Sequence, residues 1–166
     1  AATFVPYSSR LDTRGVRVAR ETGAGESGNT PSERRALYVG ITTGYFDAVG
    51  APLIHGRNFT AAETRAPGAA RVAIIDTGLA QKLFPGGSAL GEFIRIGSTE
   101  VEVIGICAPH RHNNRASELS ERVFIPYAAT QDNRVFLLVR HAVKDAAGTA
   151  AAIAPLRAAL RAHDPG

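Results

Sequence analysis

The stretch Gly44–Phe59, GYFDAVGAPLIHGRNF, decides how the rest of the chain reads. Thr42 or Thr43 is placed to cap a helix whose first turns carry Tyr45, Phe46 and Val49, and Gly50 suits the left-handed residue that closes it. A helix of under two turns does not persist alone, so Tyr45 and Phe46 must be held by packing against another element. Pro52 forbids continuation. Leu53 and Ile54 then read as a short buried segment and Gly56-Arg57 as a turn. The residues alone describe a packing hinge between two layers.

Upstream, Ala36–Ile41 is an apolar strand leading straight into that helix. Gly15–Ala19 is another, with Val16 and Val18 facing one way and Arg17 the other. Ala2–Pro6 reads as a short strand, and Glu21–Pro31, rich in Gly, Ser and Asn, as the most mobile loop. Downstream, Thr60-x-x-Glu63 has capping-box spacing. Arg71–Asp76 (RVAIID) is apolar on both faces, which suits a buried strand. Asp76 or Thr77 then caps a helix that buries Leu79, Leu83 and Phe84 and stops at Pro85-Gly86-Gly87.

Further on, Glu92–Ile96 and Glu100–Cys107 form an antiparallel pair around Gly97-Ser98-Thr99. Cys107 is expected on the same buried strand face as Val101 and Val103. Pro109–Glu121 is a polar loop and Val123–Ile125 a short strand. Arg134–Arg140 is apolar throughout its middle, as in a central strand. The alanine-rich segment from Asp145 to His163 is helical, with Ile153, Leu156 and Leu160 on one face. Pro155 inside it predicts a kinked helix, because an interior proline costs about 3 kcal/mol.

Composition bounds the function. At 166 residues, 45% hydrophobic and 20% charged, the chain is one domain or two joined lobes with room for a core. No run approaches the length of a membrane span. There is no signal peptide: the chain opens mid-strand with AATFVPY, and both ends look cut. The net charge is +4, and of 19 basic side chains only Lys82 and Lys144 are lysines. The arginines are scattered without a basic run or interleaved aromatics, which argues against nucleic acid as a partner. The single cysteine, Cys107, has no internal disulfide partner and leaves the compartment open.

The order of motifs carries a resemblance. The Tyr45-Phe46 pair, a glycine, Pro52-Leu53, Gly56-Arg57 and Phe59 resemble the signature of the MacB-type periplasmic core domain, found in permeases of the macrolide-exporter and FtsX class of ABC transporters. The likeness continues through RVAIID, Leu83–Gly86 (LFPG), Leu90-Gly91, Val101–Ile106 (VEVIGI), Val123–Tyr127 (VFIPY) and Val135–Arg140 (VFLLVR), and closes at Asp164-Pro165. It covers about three-quarters of the chain; the first forty residues match loosely. Strands and helices intermingle without a regular βαβ repeat, so the fold class is α+β. The resemblance implies a ferredoxin-like porter lobe from both chain ends, residues 1–43 with 131–166, and an inserted, mostly β lobe, residues 44–130.

Chemistry-bearing motifs are sparse. Gly23–Gly28 satisfies G-x-G-x-x-G as a string, but Pro31 and the strand from Ala36 leave no room for the helix a dinucleotide site requires. Gly86–Gly91 follows a helix rather than opening one, and Glu92 stands where a phosphate loop needs lysine. His110 and His112 form the best metal or proton-transfer candidate, yet no Asp or Glu lies within five residues of them to complete a shell, and Cys107 reads as a small core residue. His55, His141 and His163 have no local partners of that kind. Glu100 and Glu102 alternate with Val101 and Val103, as on the wet side of a half-buried strand. Arg57 either clamps a carboxylate or carbonyls at the hinge or is a plain surface arginine. No catalytic, cofactor-binding or metal site is assigned.

The expected function follows from the resemblance: a non-catalytic, periplasmic domain of an inner-membrane ABC-type permease, needing no cofactor. Its expected partners are flanking transmembrane helices, a cytoplasmic ATPase subunit or domain, a second copy of itself, and a periplasmic adaptor, lipoprotein or exported molecule. The competing readings are a stand-alone sensor or small-ligand module with a cleft between lobes, and an enzyme using His110 and His112.

Overall fold

The structure is a computed structural model, and it describes residues 2, 12–19, 33–65, 71–109, 121–130, 135–140 and 146–163. The strands are β1 (Thr13–Val18), β2 (Arg34–Ile41), β3 (Leu53–Gly56), β4 (Val72–Asp76), β5 (Phe93–Ile96), β6 (Thr99–Cys107) and β7 (Arg122–Pro126). The helices are α1 (Tyr45–Val49), α2 (Ala61–Arg65), α3 (Thr77–Leu83) and α4 (Ala146–His163).

One seven-stranded sheet runs in the order β3-β6-β4-β7-β2-β1-β5, and β5 pairs again with β6. All strands but β3 therefore close into a ring. Nine-residue β6 makes closure possible: its first half pairs with β5 and its second half with β3 along the same edge, while β4 lies on the other side. A closed sheet leaves no long edge to pair with foreign chains. Pairing is mixed, parallel for β2–β7 and β4–β6 and antiparallel elsewhere, in keeping with the α+β class. Strands β1 and β2, which fall within residues 1–43, share this sheet with strands from 44–130.

Two apolar clusters lie on opposite faces. The interior of the ring holds Val16, Ala36, Ala73, Ile75, Ile94, Val103 and Val123, with Leu79 and Leu83 of α3 joining them. The outer face carries Val39, Ile41, Ile74, Ile104 and Phe124, covered by Tyr45 and Phe46 of α1 and by Phe59. This is why Val72, Ala73, Ile74 and Ile75 are apolar without alternation: Ala73 and Ile75 point inward while Ile74 points to the outer cluster.

Several local expectations hold. The hinge helix spans Tyr45–Val49 and ends on Gly50 at φ 69°. Asp76 Oδ1 accepts the Leu79 amide at 2.8 Å to cap α3. In the predicted capping box, the Thr60 amide donates to Glu63 Oε2 at 2.7 Å and the Glu63 amide to Thr60 Oγ1 at 3.2 Å.

Others change. Gly44, not a threonine side chain, precedes α1, and the Tyr45 amide bonds the Thr42 carbonyl instead. Ile54 is exposed, and it sits at the irregularity in the β3–β6 pairing between Leu53 and His55. Cys107 is buried, but with Ile104 in the outer cluster rather than with Val101 and Val103. The cause is a register shift: Ala73 pairs with Val103 and Ile74 with Gly105, so β6 bulges and its faces exchange.

The stretch 135–140 is not a central strand. Among the described residues its one bridge joins Phe136 to Ala2, and Val135, Leu137 and Val139 are exposed while Leu138 packs on the outer cluster. An apolar run lies in a central strand only when both faces are covered, and here one is. The final helix is continuous through Pro155 from Ala146. Ala2–Pro6 beyond its first residue, the loop Glu21–Pro31 and most of Pro109–Glu121 lie outside the described residues. Among the described residues, no helix is long and apolar enough to cross a membrane.

Candidate functional site

The hinge stretch is held by aromatic packing, a polar clasp and one long-range hydrogen bond. Tyr45 and Phe46 stand edge-to-face with centroids 5.5 Å apart, and they meet Phe124 of β7 at 5.6 and 5.2 Å. Such pairs contribute about 0.5–1.5 kcal/mol each beyond the area they bury. They hold a helix too short to stand alone. Asn58 Nδ2 donates to the Thr43 carbonyl at 2.8 Å, tying the exit of the hinge to its entrance. Arg140 Nη1 donates to the Asp47 carbonyl at 3.1 Å, so the chain after 135 is anchored at α1.

Arg57 proves to be a clamp. Its Nη1 and Nη2 donate to Glu63 Oε2 and Oε1 at 3.0 and 2.9 Å, and Nη1 also donates to the Asn58 carbonyl at 3.1 Å. Glu63 thus serves the bidentate pair and the capping box of α2 together. The Arg57 guanidinium, with the Thr60 hydrogen bonds behind it, holds the Glu63 carboxyl down at about 2.

Beneath α1 lies a cluster of ionisable side chains with almost no access to water. Asp76 ends β4 and Arg122 begins β7. The antiparallel register that sets Ile74 against Phe124 and Ile75 against Val123 brings these two opposite each other. Their side chains are 3% and 1% exposed, with Nη1 3.8 Å from Asp76 Oδ2. Cys107 is the Cα partner of Asp76 on β6, and Tyr45 covers the group from α1.

Desolvation sets the electrostatics. Burial raises Asp76, against the pull of the Leu79 amide and Arg122, and burial lowers Arg122, against the pull of Asp76. Burial pushes the Cys107 thiol up to about 12 and raises Tyr45 as well. A thiol and a phenol held in their neutral forms are poor nucleophiles and poor bases. The cluster therefore suits fastening strands together better than it suits turnover.

Sequence reasoning named Asp76 only as a cap and passed over Arg122 among scattered arginines. The signal that joins them is strand register, which no local pattern carries. The other candidates are dispersed. His55 is exposed on β3, and the side chains of His110, His112, His141 and His163 lie outside the described residues, as does Gly23–Gly28. Gly86 and Gly91 are turn residues at φ 78° and 80° between α3 and β5. Glu100 pairs with Arg95 across the β5–β6 ladder at 3.1 Å. Among the described residues, no three His, Cys, Asp or Glu side chains are grouped to hold a metal.

Set beside known proteins, residues 4–159 match the model of the MacB-like periplasmic core domain. The chain belongs to this family. As a MacB-like core domain it is the extracytoplasmic, periplasmic part of an inner-membrane protein of the ABC transporter permease type. It is 35% identical over 95 residues to the pyoverdine export ATP-binding/permease protein PvdT of Pseudomonas entomophila. It is 32% identical over 100 residues to the macrolide export ATP-binding/permease protein MacB 1/2 of Paracoccus denitrificans. Those matches cover 56% and 60% of this chain and 14% of each relative.

The fold is shared with the periplasmic region of MacB from Actinobacillus actinomycetemcomitans, with a TM-score of 0.58 at 18% identity over 93% of this chain and 70% of that one. The extracellular domain of the ABC-type transporter YknZ from Gram-positive bacteria gives 0.51 at 24% identity, over 70% of this chain and 51% of that one.

Proposed function

We propose that this core domain performs no catalysis of its own and acts as the extracytoplasmic lever of an ABC-type permease. It carries movement driven by ATP on the cytoplasmic side to partners or cargo outside the membrane. The observation that supports this reading best is the closed sheet. A ring with apolar packing inside and out, pinned by a buried charge pair, resists deformation and moves as a body. Relatives named as ATP-binding/permease proteins supply the motor in this picture. The whole protein would join the domain to flanking transmembrane helices and an ATPase subunit or domain, and would work as a homodimer. An adaptor, a lipoprotein or an exported molecule would meet its outer surface. The porter-like part would be formed by the chain ends, which meet where Ala2 bridges Phe136.

The test is a distance measured in the full-length permease. Ser98 sits exposed on the β5–β6 turn, whereas the native thiol of Cys107 is buried and protonated. With any cysteine outside these 166 residues replaced, a spin label on Ser98→Cys reports one site per subunit. Nucleotide-free and vanadate-trapped states should give different label-to-label distances across the dimer. An unchanged distance overturns the coupling, and the absence of any dipolar pair overturns the dimer.

A further inference from the structure

The large exposed apolar side chains are concentrated late in the chain, and three of them form a stripe on α4. Ile153, Leu156 and Leu160 are 43%, 37% and 51% exposed. At 3.6 residues per turn they lie along one face, and Arg157 and Arg161, one position after Leu156 and Leu160, flank that face. Between Asp145 and Asp164 the sequence holds no acidic residue, in a chain of net charge +4. A helix with a bare apolar stripe, arginines along its border and no carboxylate matches what binds in the plane of a lipid–water interface. There the apolar residues enter the acyl boundary and the arginine stems reach to the headgroups.

We infer that α4 is a membrane-surface contact that lies against anionic phospholipid. This goes beyond the lever reading and depends only on the domain standing beside a bilayer, which its family assigns. A second copy of the chain is the rival occupant. It suits the face less well, because pairing two such helices stripe to stripe sets arginines near arginines with no carboxylate between them.

The experiment floats the 166-residue chain with vesicles of phosphatidylglycerol mixed with phosphatidylcholine, and with phosphatidylcholine alone. Binding should favour the anionic vesicles and fall as salt is raised to about 1 M, where screening is nearly complete. Leu160→Asp should weaken it by about tenfold. Arg157→Gln with Arg161→Gln should weaken it by about fivefold per arginine. Circular dichroism of each variant should match the parent, since all three positions are exposed.

No flotation, or equal flotation of the Leu160→Asp variant, overturns the inference. So does a concentration-dependent dimer in sedimentation that this variant abolishes, which would make the second copy the occupant. In the full-length permease in nanodiscs, a fluorophore on Leu160→Cys should be quenched by brominated lipid; an unquenched probe means that protein, not lipid, covers the stripe.

Discussion

Two carboxylates in this domain are set in opposite directions by their surroundings. Glu63 is held near 2, against an ordinary 4.5, by Arg57 and the Thr60 hydrogen bonds. A depressed folded value contributes stability above about pH 4.5 and loses it as pH falls toward 2. The pair is half open to water at Arg57, so its share is about 1 kcal/mol after screening. Removing the charge should flatten the acid limb: urea melts of the Glu63→Gln variant between pH 2 and 5 should vary less with pH than those of the parent. An unaltered slope would mean the clamp is not formed in solution. Asp76 is raised above its ordinary 3.8, so its ionisation lowers stability as pH climbs through the folded value. Arg122 limits that loss.

Because Asp76 and Arg122 are both buried, each without the other is worse than neither. Asp76→Asn retains a good helix cap yet strands the guanidinium, and it should cost about 3 kcal/mol in denaturant titration. Combining it with Arg122→Met should recover at least about half of that loss. A double variant as unstable as the single would show that the pair does not account for the effect.

At the scale of elements, two tight turns test how closely the hinge is built. Gly56 ends β3 at φ 77°, and a Cβ there would stand 2.2 Å from the Ile104 carbonyl oxygen on β6. Gly86, at φ 78°, has open space around it. Gly86→Ala should cost about 1 kcal/mol from backbone conformation alone. Gly56→Ala adds a collision with main chain and should cost at least about 2 kcal/mol more. Thermal melts of the two variants that coincide would refute the close approach of β3 to β6.

Element by element, much was legible. The Thr60–Glu63 box, the Asp76 cap and the β5–β6 hairpin rest on interactions within a few residues, and each stands where its pattern put it. The hinge helix and the buried run before Asp76 also stand there, held by packing on other strands. Readings failed where a distant element decided the outcome. The side on which Cys107 lies follows from a bulge set by pairing with β4. The exposure of Ile54 follows from its face of β3 being left uncovered, at an irregularity in the pairing with β6. Val135–Val139 has the composition of a central strand, but composition does not report whether a second layer covers it.

For the whole molecule, ring closure predicts where opening is most difficult. Amides of β4, β6 and β7, paired on both sides and packed on two faces, should exchange only through global unfolding. Residues 135–140 and helix α4 carry mostly exposed side chains and should exchange orders of magnitude faster by mass spectrometry. Equal protection of α4 and β4 would contradict this ordering. It would also place a covering partner on α4.

By itself the sequence determined the local geometry of this protein: caps, turns and apolar runs that neighbouring residues impose on one another, and an order of motifs specific enough to indicate the family. Only the tertiary structure decided that the sheet closes on itself and that Asp76 meets Arg122. The physical reason is that strand register and burial are settled by contacts between segments far apart in the chain. Their free energy is shared across the packed whole and leaves no periodic trace in any one stretch.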